Sequence, residues 1–220
     1  MDLAAVSARG GEGSPPHDPA MKKFWNCHHI HGDVDYLTGS GGPGVIETLL
    51  LEDLFPDAKE ILNIGIGLGR WEKFCKEHGK VIDSLDIVEL AGECVKEFIR
   101  SLYLFPEDLP ENAYDLITEL LVAQHVTPDT LERHFKYAIA ALRPEGTYAI
   151  QIPDLYPKYL GEPTEATLVA MQAGAVCYPI AWVDRAARMN GGQIIEVQHR
   201  ANFPQHNSMW HVYKIKRMIT

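Results

Sequence analysis

One stretch constrains this chain more than any other: Leu62-Asn63-Ile64-Gly65-Ile66-Gly67-Leu68-Gly69-Arg70. An apolar run, Ile61 to Ile64, predicts a buried strand. It breaks into three glycines at alternate positions, and a helical pattern follows, with Trp71, Phe74, Cys75 and His78 at i, i+3, i+4 and i+7 and Gly79 as its stop. Strand, bare turn and helix in that order predict the first crossover of an open α/β sheet. Ligands of such sheets bind where neighbouring connections diverge, outside the carboxyl ends of the strands.

The rest of the chain repeats the alternation. A helix is expected around Ile46, Leu49, Leu50 and Leu54, with Pro56 beyond it; Val81 to Asp86 reads as a strand, and Val95, Phe98 and Ile99 as part of a helix. Tyr114 to Thr118 reads as a strand. Thr127-Pro128 supplies an N-cap and an N1 proline for a helix faced by Leu131, Phe135, Ile139 and Leu142. Pro144-Glu145-Gly146 is expected to turn into a strand from Thr147 to Ile152. A helix near Val183 to Met189, ending at Gly191-Gly192, and two strands, Ile194 to Val197 and Trp210 to Ile215, complete the pattern. Short apolar runs alternating with helices indicate βαβ units and a parallel sheet.

The 220 residues suit one domain, residues 21–220, after a tail of about 20 residues rich in Gly and Pro that is expected to be disordered. Residues 154–180 lose the periodicity and read as an insertion on the substrate side. Twenty basic against thirty acidic residues give a net charge of −10, with no cluster of Lys and Arg fit to neutralise phosphates. Nucleic acid and membrane are therefore not expected partners, and no apolar run approaches the ~20 residues that span a bilayer. The four cysteines form no C-x-x-C pair. A reduced, cytoplasmic protein is expected; its oligomeric state is not set by the sequence.

The glycine spacing discriminates between ligands. A dinucleotide site requires G-x-G-x-x-G. Here the third glycine, Gly69, comes one position early and Arg70 takes the expected place, giving G-x-G-x-G. Asp86, 21 residues after Gly65, stands at the end of the second strand, close to the offset of about 20 at which an acid reaches a ribose in related nucleotide sites. Asp83 and Glu89 compete for that role, the first from mid-strand and the second from the following helix.

These segments resemble the class I S-adenosylmethionine-dependent methyltransferases of small molecules. Leu62 to Gly69 is similar to their glycine-rich first motif and Leu85-Asp86-Ile87 to their ribose-binding acid. Asn112 to Ile117 and Leu121 to Val126 are similar to their fourth motif, and Ala141 to Thr147 to the turn into their fifth strand. The resemblance implies a Rossmann-like, seven-stranded, mostly parallel sheet with helices on both faces and an antiparallel last strand. S-adenosylmethionine is the implied cofactor and a small-molecule O or N nucleophile the implied acceptor.

It also implies cofactor-binding roles for Asn63, Gly65, Gly67, Gly69, Asp86, Ile87, Glu119 and Leu120. Trp25, His31 or Tyr36 would cover the cofactor. His125 is the candidate general base, with a packed, pocket-shaping histidine as its alternative. Tyr36, Tyr156, Tyr159 and Tyr178, with Met171, are candidates for the acceptor pocket. Asn63 stands where the family carries an acid, and is expected to accept from the cofactor's ammonium without charge. No acid for the adenine amino group is found between Arg100 and Glu107. The Cys27–His31 cluster has no second ligand group at typical spacing, so no metal is expected. Two rival readings remain: a non-catalytic module of the same fold, and a nicotinamide-dependent oxidoreductase.

Overall fold

The computed structural model describes residues 6–7, 42–154, 176–200 and 209–218. Eight strands form one sheet: β1 (Val6–Ser7), β2 (Glu60–Ile64), β3 (Val81–Leu85), β4 (Leu102–Tyr103), β5 (Tyr114–Glu119), β6 (Leu142–Asp154), β7 (Gly192–Arg200) and β8 (Met209–Arg217). Their order is β1-β4-β3-β2-β5-β6-β8-β7. Pairing is parallel from β1 to β6, and β8 runs antiparallel to both β6 and β7. Apart from the two-residue edge strand β1, this is the expected seven-stranded sheet with its antiparallel last strand.

Helices cover both faces. Helices α1 (Gly42–Leu49) and α2 (Arg70–Glu77) pack on one face through Val45, Leu49, Trp71 and Cys75. Helix α3 (Glu89–Val95) closes a small cluster with Ile66 and Val88. On the other face α4 (Pro128–Ala141) and α5 (Ile180–Met189) bury Leu131, Phe135 and Val183 against Ile64, Ile117 and Ile150. Side chains alternate faces along each strand, so neighbouring residues of β2, Leu62 and Ile61, enter the two different cores.

Several boundaries move from the expected ones. Helix α1 stops at Leu49, and Leu50 turns the chain with a φ of 56°. Helix α3 ends at Val95, so Phe98 and Ile99 fall in the turn that follows, both amides bonding to the Val95 carbonyl. The strand β6 begins at Leu142 and absorbs the predicted turn as a bulge: Tyr114 pairs with Leu142, yet Leu116 pairs with Thr147. Glu145 takes a φ of 68° there, and a side chain on Gly146 would meet the Tyr114 carbonyl at 2.8 Å. The cap at Thr127 is as expected, its hydroxyl accepting from the Thr130 amide at 3.3 Å.

Candidate cofactor site at the glycine turn

The carboxyl end of β2 delivers the chain into the glycine turn. Gly65, Gly67 and Gly69 have φ of 85°, 58° and 74°, the left-handed region that L side chains rarely enter. Packing adds a second reason. A Cβ on Gly65 would lie 2.2 Å from the Val122 methyl, and one on Gly69 would lie 2.0 Å from Val95. The turn is thus pressed against the segment after β5 and against α3. A shallow recess opens beside it, lined by Asn63, Gly65, Ile66, Gly67, Leu68, Arg70, Trp71, Leu120 and Val45 of α1.

Asp86 stands just beyond β3 and faces the turn. Its Oδ2 accepts from the Ile66 amide at 2.9 Å and its Oδ1 from the Val88 amide at 2.9 Å. One carboxylate therefore ties the glycine turn to the start of α3, and each of its oxygens has a second lone pair. Ile87 is half-buried against the Ile66, Val88 and Val95 cluster. Of the competitors, Asp83 is spent in a pair with Arg100 and accepts from the Tyr114 hydroxyl at 2.8 Å. Glu89 is the first residue of α3 and is exposed.

Behind the turn lies a polar row that the sequence reading did not isolate. Ser84, Asn63 and Thr118 are register partners on β3, β2 and β5, one residue short of the strand ends. All three are buried on the face that α2 covers. Trp71 donates its indole N–H to Thr118 at 3.1 Å, and Thr118 donates to the Asn63 Oδ1 at 2.9 Å. Asn63 Nδ2 donates to the Gly65 carbonyl at 2.9 Å and to Glu72 Oε1 at 2.6 Å. Ser84 donates to the same Glu72 oxygen at 3.1 Å. Glu72 has no exposed surface, and burial lifts its carboxyl to about 7 against hydrogen bonds that pull the other way.

Asn63 lines the recess, its amide oxygen accepting from Thr118 and its amide hydrogens going to the Gly65 carbonyl and Glu72. Three expectations are corrected here. Glu119 was expected beside the cofactor. It points to the opposite face, wholly buried, 3.2 Å from His134 Nδ1 and accepting from the Tyr148 hydroxyl. Tyr178 was expected in an acceptor pocket. It is a core residue, its hydroxyl donating to the Val126 carbonyl at 2.6 Å and its ring packed on Trp182. His78 was placed on the buried face of α2; it is exposed and rests on Phe74, and Glu72 is the buried residue instead.

His125 closes a single 3-10 turn, Ala123–His125, and is not among the residues lining the recess. Gln124 Nε2 lies 2.9 Å from its Nε2, so that ring nitrogen accepts and the proton sits on Nδ1. Burial lowers the imidazole to about 4. A histidine so weakly basic is a poor proton acceptor near neutrality, which favours the packed histidine over the general base. Tyr36, Tyr156, Tyr159, Trp25, His31, Met171 and the Cys27–His31 cluster lie outside the described residues.

The sheet order, the antiparallel β8 and the glycine turn after β2 together define the fold of the class I S-adenosylmethionine-dependent methyltransferases. No family model matches the sequence, and no curated protein sequence matches it either. Solved structures do. A 1,6-didemethyltoxoflavin N1-methyltransferase of Burkholderia thailandensis, crystallised with its substrate and S-adenosylhomocysteine, is 16% identical. The match covers 94% of this chain and 93% of that one, with a TM-score of 0.65. A phosphoethanolamine N-methyltransferase of Haemonchus contortus, also holding S-adenosylhomocysteine, is 15% identical over 94% of this chain and 62% of its own, with a TM-score of 0.67. An S-adenosylmethionine-dependent methyltransferase of Mesorhizobium loti is 16% identical over 78% and 96%, with a TM-score of 0.61.

Proposed function

We propose that this chain is an S-adenosylmethionine-dependent methyltransferase acting on a small-molecule O or N nucleophile by in-line transfer. The observation that carries the reading is the glycine turn itself: three left-handed glycines at alternate positions after β2, faced by the Asp86 carboxylate from the end of β3. When bound, S-adenosylmethionine supplies a methyl group on a positively charged sulfur that leaves as a neutral thioether.

The residues present fit that group. The Asp86 carboxylate would accept the ribose hydroxyls, its direction fixed by the bonds to the Ile66 and Val88 amides. Ile87 presents an apolar surface for adenine. Gly65 and Gly67, with Leu120, would bound the methionine portion of the cofactor, and Gly69 lets the turn close on Val95. Tyr36, Tyr156 and Tyr159 are the proposed acceptor-side residues. With His125 weakly basic and engaged, the chemistry rests on positioning, which supplies about 7–11 kcal/mol of barrier lowering in well-oriented reactions, and on an acceptor that arrives unprotonated.

The neighbours crystallised with a cofactor product or a small substrate support this reading. Cytoplasmic residence is part of it: Cys75 and Cys177 are buried, and no described helix is long and apolar enough to cross a membrane. The module reading draws on the same weak His125. Incubation with S-adenosylmethionine carrying a labelled methyl group and a panel of amines, phenols and carboxylates separates the two. Label in a small-molecule product supports the enzyme; binding with no transfer to any acceptor supports the module.

A further inference from the structure

The glycine turn rests on a buried carboxyl that the cofactor reading leaves without a task. Glu72 sits on the first turn of α2 with no exposed surface. Its Oε1 accepts from Asn63 Nδ2 and Ser84 Oγ, and its own backbone amide also favours the charged form. Its Oε2 has no hydrogen-bond partner and points toward Gly69, 4.0 Å from where a Cβ on that glycine would be. No Lys, Arg or His among the described residues shares its charge. The titratable groups facing it are Asp86 across the turn and Cys75 on its own helix, and its polar neighbours are Asn63, Ser84 and its own backbone amide. A buried carboxyl with one oxygen unpartnered lowers stability, and such groups concentrate where function requires them.

Resting on the adenosyl reading above, we propose that Glu72 is the positioning residue of this site: acting through the Asn63 amide, it aims the Gly65 carbonyl and supplies the negative charge that favours a cationic ligand group at the glycine turn. Asn63 links the two, because one of its amide hydrogens goes to Glu72 and the other to the Gly65 carbonyl. An ionised Glu72 polarises that amide and leaves the turn more negative. A protonated Glu72 does neither. A cation bound above the turn in return favours the ionised form, so ligand affinity and Glu72 ionisation are coupled. With the carboxyl lifted to about 7, the coupling falls within the neutral range.

The test is calorimetry on the full chain and on Glu72→Gln between about pH 5.5 and 8.5. Two ligands are compared: S-adenosylmethionine, and methylthioadenosine, which lacks both the sulfonium and the ammonium. A one-unit fall in the Glu72 pKa on binding makes affinity for S-adenosylmethionine rise about tenfold across that range. Methylthioadenosine stays flat, and Glu72→Gln shows no rise with either ligand, keeping only the titration of the ligand itself. The ammonium titrates in the ligand too, and the variant subtracts that contribution. A purely structural role moves both ligands equally.

A wild-type profile no steeper than that of the variant, or one equally steep for methylthioadenosine, overturns the proposal. A ligand-free readout separates it from the reading beneath it. The stability of the wild type relative to Glu72→Gln falls as pH rises from about 4.5 to 7, the difference cancelling the opposite contribution of the buried His125 that both proteins share. Loss of this difference removes Glu72 whatever binds. Its presence in a protein that binds neither ligand overturns the adenosyl reading and the coupling with it.

Discussion

Two glutamates among the described residues are wholly enclosed, one on each face of the sheet. Glu119, at the end of β5, has both oxygens placed, one beside His134 Nδ1 at 3.2 Å and one accepting from the Tyr148 hydroxyl. Glu72, across the sheet and under the glycine turn, has one oxygen with two donors and the other with none. Burial is equal, satisfaction is not. A completed cluster joins β5, β6 and α4 and adds to the core's specificity. An uncompleted one, next to a turn with left-handed glycines, marks the place where stability has been given up for a task.

The comparison is broken most severely at Glu119. Alanine there strands a buried imidazole and a buried phenol, with an expected loss of about 3–5 kcal/mol, measured by urea unfolding near neutral pH. A loss below about 1 kcal/mol would put the two sites on the same footing.

The opposite sign is expected at Glu72. Its carboxyl is lifted from an ordinary 4.5 to about 7 in the folded state. Its favourable contribution is therefore intact below 4.5 and lost as pH rises through 7. Glutamine keeps the accepting oxygen and puts an amide where Oε2 has no partner. Glu72→Gln is expected to be more stable than wild type above pH 7, by roughly 3 kcal/mol at most, and equal to it near pH 4.5. Equal stability at every pH would contradict the lifted carboxyl.

A third carboxylate, Asp86, accepts from the Ile66 and Val88 amides. Asp86→Ala is expected to weaken S-adenosylmethionine binding ten- to a hundredfold, from about 1.5–3 kcal/mol of charge-assisted bonding, read by calorimetry. Unchanged affinity would remove Asp86 from the site.

The smallest effect is expected at Glu145, where the cost lies in the backbone. Its side chain is 76% exposed and pairs with Lys216 at 3.0 Å, but its φ is 68°. Glu145→Gly relieves a left-handed residue worth about 1–2 kcal/mol and returns part of that in glycine entropy. The expected net gain is about 0.5 kcal/mol, seen as a small rise in Tm; a fall in Tm would show that the Lys216 pair outweighs the strain.

The order of strands and helices was legible because buried parallel strands and amphipathic helices write their periods plainly, and because glycines at alternate positions admit few turns. The pairing of Gly65 with Asp86 was legible for the same reason. What escaped were contacts with no period. Glu72 sits between Trp71 and Lys73 in a helix whose apolar stripe points to His78, so nothing local says that it is buried; only the row Ser84, Asn63, Thr118, assembled from three strands, reveals why it is. Glu119 and Tyr178 were misplaced because one residue along a strand reverses the face, and a tyrosine after an irregular segment gives no sign that its hydroxyl is already taken by Val126. The two-residue strand β4 is too short to have a pattern.

The central claim is that an adenosyl methyl donor lies against the glycine turn. Amide hydrogen exchange, read residue by residue with and without S-adenosylmethionine, tests it most directly. Added protection is expected at Ile66 to Gly69 and at Ile87 and Val88, the two segments that Asp86 ties together. Unchanged exchange across both segments at saturating ligand, or protection confined to other parts of the chain, would contradict it.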